Sequence, residues 1–269
     1  MKKVLSILFI FITSLSLIAC QNTNSENDIV IGSSIPIVTE ILNEIKEDIA
    51  KEGYNLVIKQ FSDYVAPNMA LASKELDANL LQHGVYMNNF NNANNTNLTV
   101  ALPLYHATFA LYSKEYTEIS QIPNGAEIVL PDDASNFSRG LYLLSQAGLI
   151  TLNEDSNKYA LTLDDVLENP KNLDFSKRAP VNTIATFYEE VGLAIMYPNN
   201  AQSLELEEGE QQLFVEKEDD VTLGLAISLV ARTDNEDSDK IKVLIEALTT
   251  DKVRDYLNEH YGWASNPAF

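Results

Sequence analysis

Residues 29–81 read IVIGSSIPIVTEILNEIKEDIAKEGYNLVIKQFSDYVAPNMALASKELDANLL, and their periodicity decides the fold class. Ile29-Val30-Ile31-Gly32 is a short apolar run of the buried-strand type. Ile37, Ile41, Leu42, Ile45 and Ile49 then recur at helical spacing, with Glu40, Glu44, Lys46 and Glu47 off that stripe. Gly53 stops the helix. Leu56-Val57-Ile58 is the next strand, followed by a helix around 68–76 and a strand at 77–81. The order β-α-β-α-β argues for a parallel α/β sheet.

The pattern shifts near residue 105. Leu98–Leu104 and Thr108–Tyr112 are extended runs, and Gln121-Ile122-Pro123-Asn124-Gly125 is a turn signal. A strand at Ile128–Leu130, a helix over Ser135–Ala147 closed by Gly148 and a strand at Leu193–Met196 form a second alternating unit. Leu223–Ala231 reads as one long strand, and Ser238–Leu248 and Asp251–His260 as helices. The expected architecture is two α/β lobes, residues 29–106 with 230–269 and residues 107–229. Ligands of open α/β sheets bind beyond the strand carboxyl ends, so a cleft between the lobes is expected to hold the site.

Upstream, residues 1–20 read MKKVLSILFIFITSLSLIAC. Lys2 and Lys3 precede a short apolar run that ends in a small residue, the pattern of a secretory signal peptide over 1–19. The run is shorter than the ~20 residues that cross a bilayer comfortably. Leu17-Ile18-Ala19-Cys20 looks like a bacterial lipobox, which would leave Cys20 first and lipidated. It is the only cysteine, so disulfides, thiol catalysis and thiolate metal sites are excluded in the mature chain. Residues 20–28 are expected to be a flexible tether, spanning about 27 Å from Gln21 to Asp28 when extended.

The chain carries 39 acidic and 18 basic residues, net −21. Such a surface repels nucleic acid and anionic lipid headgroups. No Walker loop, GxGxxG, HExxH or GxSxG occurs, and no acid–base pair stands out, so no enzyme and no cofactor are expected. His83, His106 and His260 share no short metal-ligand spacing; a site assembled from His83, His106 and a carboxylate stays open as an alternative. Arg139 falls in the first turns of the helix after Asp132 and Asp133. It is either a carboxylate trap beside free helix N–H groups or the ion-pair partner of one of those aspartates. Phe61, Tyr64, Tyr86 and Tyr105 cluster at expected strand ends, as core or as walls for an apolar side chain.

Several blocks resemble the methionine-binding lipoproteins of the MetQ/NlpA type. They are Phe61–Asn68 (FSDYVAPN), Leu76–Tyr86 (LDANLLQHGVY), Ile128–Leu144 (IVLPDDASNFSRGLYLL), Gln146–Ile150, Glu168–Leu173 and the terminal Pro267-Ala268-Phe269. The resemblance runs in order over the mature chain. It implies a two-lobed periplasmic-binding-protein-like fold and an amino-acid-like ligand. It also implies an ABC permease and ATPase as partners, and a monomer held by lipid on Cys20 at the extracytoplasmic face of the cell membrane. It places Tyr64 and Tyr86 on aromatic ligand walls, His83 in the pocket, and Arg139 on the ligand carboxylate with Asn136 nearby.

Three positions depart from the family pattern. Leu81 stands where the family usually has Phe, and Tyr197 and Ile227 fall where it has asparagines that help hold the amino-acid head group. The expectation is therefore that L-methionine is a poor ligand, and that another apolar amino acid, a methionine derivative or a short peptide fits better. A metal-binding protein, a peptide-binding protein and a surface adhesin with a vestigial cleft are the competing functions at this level.

Overall fold

The computed structural model describes residues 25–207 and 209–269. The signal peptide, Cys20 and most of the tether lie outside them. Asp28 belongs to the first strand and not to the tether: its backbone N–H bonds to Ser25 O, and its carboxylate accepts from Asn55 Nδ2.

The first lobe opens with β1 (Asp28–Ser33), α1 (Pro36–Glu44), α2 (Lys46–Lys51), β2 (Asn55–Gln60), α3 (Ala66–Ala72), β3 (Ala78–His83), α4 (Gly84–Asn94) and β4 (Leu98–Ala107). β1 pairs in parallel with β2 and β3, as the alternation predicts. The stripe Ile37, Ile41, Leu42, Ile45 and Ile49 is buried. The helix that carries it is broken, however, at Ile45 (φ −89°, ψ −2°). The break lets both halves keep their apolar faces on the sheet.

The chain then crosses into the second lobe. There follow β5 (Ala110–Ser113), β6 (Leu130–Pro131), α5 (Ala134–Gln146), β7 (Thr151–Leu152), β8 (Val166–Glu168), β9 (Arg178–Ala179), α6 (Ile184–Val191), β10 (Leu193–Met196), α7 (Pro198–Gln202), β11 (Gln212–Val215) and α8 (Asp220–Leu223). β5 is the centre of an antiparallel sheet β10-β5-β11, and β6 pairs in parallel with β9. Gly140 lets α5 lie close on this core: a Cβ there would stand 2.9 Å from Leu130 Cδ2.

The return supplies β12 (Ile227–Arg232), α9 (Asp239–Leu248), α10 (Asp251–Tyr261) and β13 (Ser265–Pro267). The first lobe's sheet is thus six-stranded in the order β13-β4-β12-β3-β1-β2. It is mixed and not parallel throughout, because β12 re-enters antiparallel to both β3 and β4. The expected long strand 223–231 is also shorter. Asp219 accepts from the backbone N–H groups of Val221 and Thr222 and draws 220–223 into a helical turn, so the strand starts at Ile227.

Each lobe buries apolar side chains on both faces of its sheet. In the first, Ile29, Ile31, Ile41, Leu244 and Leu257 pack on one face and Val30, Leu71, Met87 and Phe90 on the other. In the second, Leu111, Leu130, Leu141 and Ile195 pack on one face and Tyr112, Ile184 and Tyr188 on the other. Among the described residues no helix is long and apolar enough to cross a membrane.

Candidate functional site: a cavity between the lobes

A cavity of about 350 Å³ opens between the lobes, walled by strand ends and helix starts. The first lobe contributes Ile35 and Ile37 after β1, Tyr64 before α3, Leu81 to His83 at the end of β3, Tyr86 in α4, Tyr105 in β4 and Ile227 in β12. The second contributes Asp132, Asp133 and Asn136 at the start of α5, Pro180 to Asn182 after β9, and Tyr197 to Asn199 at the start of α7. Two contacts join the lobes across it. Asn182 Nδ2 donates to Ser62 O at 3.0 Å, and His83 Nε2 faces Asn136 Oδ1 at 3.4 Å.

His83 ends β3 and caps α4. Its Nδ1 accepts from the backbone N–H of Tyr86 at 3.2 Å. That bond assigns the proton to Nε2, which donates toward Asn136. Burial, reinforced by the charge of Arg139, depresses the imidazole pKa to about 4. His83 is therefore neutral near pH 7. Tyr86 meets His83 edge-on at 6.4 Å and 88°, and Tyr64 at 6.5 Å and 64°. The three rings form an aromatic corner. Burial pushes the Tyr86 phenol up to about 12 and raises Tyr64 as well, so both keep their hydroxyl protons.

On the opposite wall, Asp133 caps α5. Its Oδ1 accepts from the backbone N–H of Asn136 and its Oδ2 from Asn136 Nδ2, both at 2.9 Å. Asn136 Oδ1 accepts from the Tyr197 hydroxyl at 2.7 Å, and that hydroxyl accepts from Arg139 Nη1 at 3.0 Å. Arg139 is otherwise committed inside the protein. Nε donates to Glu216 Oε2 at 2.9 Å, Nη2 to Glu216 Oε1, and Nη2 also to Ala107 O at 2.7 Å. Burial alone would lower the guanidinium pKa; Glu216 and Tyr197 outweigh it and hold Arg139 charged.

Tyr64, Leu81, His83, Tyr86, Asn136, Tyr197 and Ile227 all line the cavity. Arg139 does not. It sits behind Tyr197, and its carboxylate partner is neither a cavity group nor Asp132 or Asp133 but Glu216. Sequence reasoning missed Glu216, one of 39 acidic residues and 77 positions from Arg139. It follows β11, and its side chain also accepts from Phe109 N, so it belongs to the crossover between lobes. The charged side chains on the cavity wall are Asp63, Asp132 and Asp133; among the described residues no Lys or Arg joins them. Burial and the neighbouring Asp133 raise the Asp132 carboxyl above its usual range. Among the described residues no group of three His, Cys, Asp or Glu is placed to hold a metal ion.

The family model for the NlpA lipoproteins matches residues 29–269. A methionine-binding lipoprotein MetQ of Bacillus subtilis (strain 168) is 33% identical over 254 residues, 93% of this chain and 92% of the relative. The crystal structure of a Bacillus subtilis lipoprotein assigned to methionine binding superposes with a TM-score of 0.85 at 34% identity, covering 90% of this chain and 98% of that one. A nutrient-binding protein from Burkholderia cenocepacia, solved bound to methionine, gives 0.81 at 26% identity over 90% of this chain and 100% of its own.

Proposed function

The chain belongs to the NlpA lipoprotein family, and on that premise we propose that it is a solute-binding lipoprotein that captures methionine or a closely related compound between its lobes. The observation that carries this reading is the cavity itself. Its volume of about 350 Å³ lies within the range of small-molecule sites, largely apolar with a few placed polar groups. Tyr64, Tyr86, Leu81 and Ile227 wall an apolar side chain, and neutral His83 and Asn136 supply hydrogen bonds. The role is binding, not catalysis. Because β4 runs to Ala107 and β12 begins at Ile227 in the first lobe's sheet, the lobe boundaries lie at 107 and 227 and not at 106 and 230. The two lobes so bounded close on the ligand as two units. Lipid on Cys20 holds the protein at the extracytoplasmic membrane face, where an ABC permease and its ATPase take up the ligand.

A thermal-shift panel followed by calorimetry tests this. A bound solute raises the melting temperature by mass action. The panel holds L- and D-methionine, other apolar amino acids, methionine sulfoxide, and amide and amine derivatives. A rise with at least one methionine-related member is expected; a flat response to every one at millimolar concentration would remove the reading.

A further inference from the structure

We propose that the cavity selects ligands that carry no free carboxylate: apolar amino-acid derivatives whose carboxyl group is masked as an amide or ester, or absent. This deepens the reading of the cavity as a site for methionine-like solutes and rests on it.

The argument starts from where the positive charge has gone. A receptor for a buried carboxylate needs a cation or several free N–H donors. Arg139 is a cation that bonds to two residues of the cavity wall, and its guanidinium is taken on two edges by Glu216, on a third position by Ala107 O and on a fourth by the Tyr197 hydroxyl. Its side chain is 2% exposed and that of Glu216 is 7% exposed. An arriving carboxylate would meet a neutralised pair and would have to displace Glu216 into a dry interior.

Tyr197 closes the route to that pair. Its ring lies 4.6 Å from that of Phe109, and its hydroxyl bridges Arg139 and Asn136 while the residue itself faces the cavity. The caps of the helix starts take part of what they could offer: the Tyr86 N–H at the start of α4 is held by His83 Nδ1 and the Asn136 N–H at the start of α5 by Asp133 Oδ1. With Asp63, Asp132 and Asp133 on the wall and no cation among the described lining residues, an anionic head group is repelled. A neutral amide avoids that repulsion, and the Tyr86 hydroxyl and the Asn199 amide on the cavity wall are polar groups that it can use.

The test is calorimetric titration of the wild-type protein and Tyr197→Asn with four probes: L- and D-methionine, and L- and D-methioninamide. The substitution removes the hydroxyl that Arg139 Nη1 bonds to and the ring in front of it, so it frees one guanidinium donor toward the cavity. The wild type should bind the better amide at least about tenfold more tightly than the better acid. Tyr197→Asn should narrow or invert that ratio. Tighter binding of the free acid by the wild type would overturn the proposal while leaving the solute-binding reading intact, as would an unchanged ratio in a folded Tyr197→Asn. Absence of binding of all four probes to both proteins would overturn both. If Tyr197→Asn does not fold, the wild-type ratio alone decides.

Discussion

Arg139 and Glu216, 77 positions apart, form a two-point ion pair with side chains 2% and 7% exposed. The pair ties α5 to the outgoing segment between β4 and β5, since Arg139 also donates to Ala107 O and Glu216 also accepts from Phe109 N. Its place in the molecule is the join between the lobes. A buried charge that loses its partner is strongly destabilising. Arg139→Ala and Glu216→Ala should each lower the unfolding free energy by about 3–5 kcal/mol. Arg139→Met combined with Glu216→Leu should lose clearly less than the sum of the single truncations, because no charge is left unpaired. Chemical denaturation measures all of these, and additive losses would contradict the pairing.

His83 gives the protein a pH signature. Above about pH 6.5 its imidazole is neutral in both the folded and unfolded chain. Below that the unfolded imidazole takes up a proton, whereas the folded one waits until about 4. The unfolded state binds more protons between those values, so this contribution to stability is complete above 6.5 and is lost as the pH falls toward 4. The slope approaches about 1.4 kcal/mol per pH unit. His83→Asn removes it, so the variant should gain on the wild type as pH drops through the window. An imidazole resonance of His83 titrating near 6.5 would contradict this.

Tyr64 and Tyr86 are expected to be the walls for the ligand's apolar part. Truncating either to Ala removes a ring from the aromatic corner. Loss of ring contact and area should weaken the best ligand by roughly tenfold or more. Calorimetry on the folded variants reads it directly. Affinity equal to wild type in both would place the ligand elsewhere.

Cys20 is the proposed lipid anchor. Cys20→Ser should abolish incorporation of labelled fatty acid and leave the precursor uncut or the protein shed from cells. Labelling that persists in the variant would end that assignment.

What was legible in the sequence follows periodicity. The stripe from Ile37 to Ile49 and the strand Leu193–Met196 are seen at once, because a single face or run sets them. The α4 helix is not: its Asn-rich stretch, residues 88–95, has Ala93 as its one strong helix former, and what holds it is the His83 cap and the burial of Met87 and Phe90. Nor does the local pattern tell that β12 re-enters between β3 and β4, with Ile227 opposite both His83 and Tyr105. The same limit applies to the site. Most expected residues lie in contiguous blocks at strand ends and helix starts. Glu216 reaches Arg139 only through the tertiary fold, and without it the state of the arginine cannot be read.

The most direct measurement of the central claim is mass spectrometry of the small molecule released from the protein purified without denaturation. The account predicts a methionine-related compound, near one equivalent per chain, that rebinds the emptied protein. A released compound unrelated to an amino acid, such as a sugar, that rebinds at the same stoichiometry and is lost with Tyr86→Ala would contradict it.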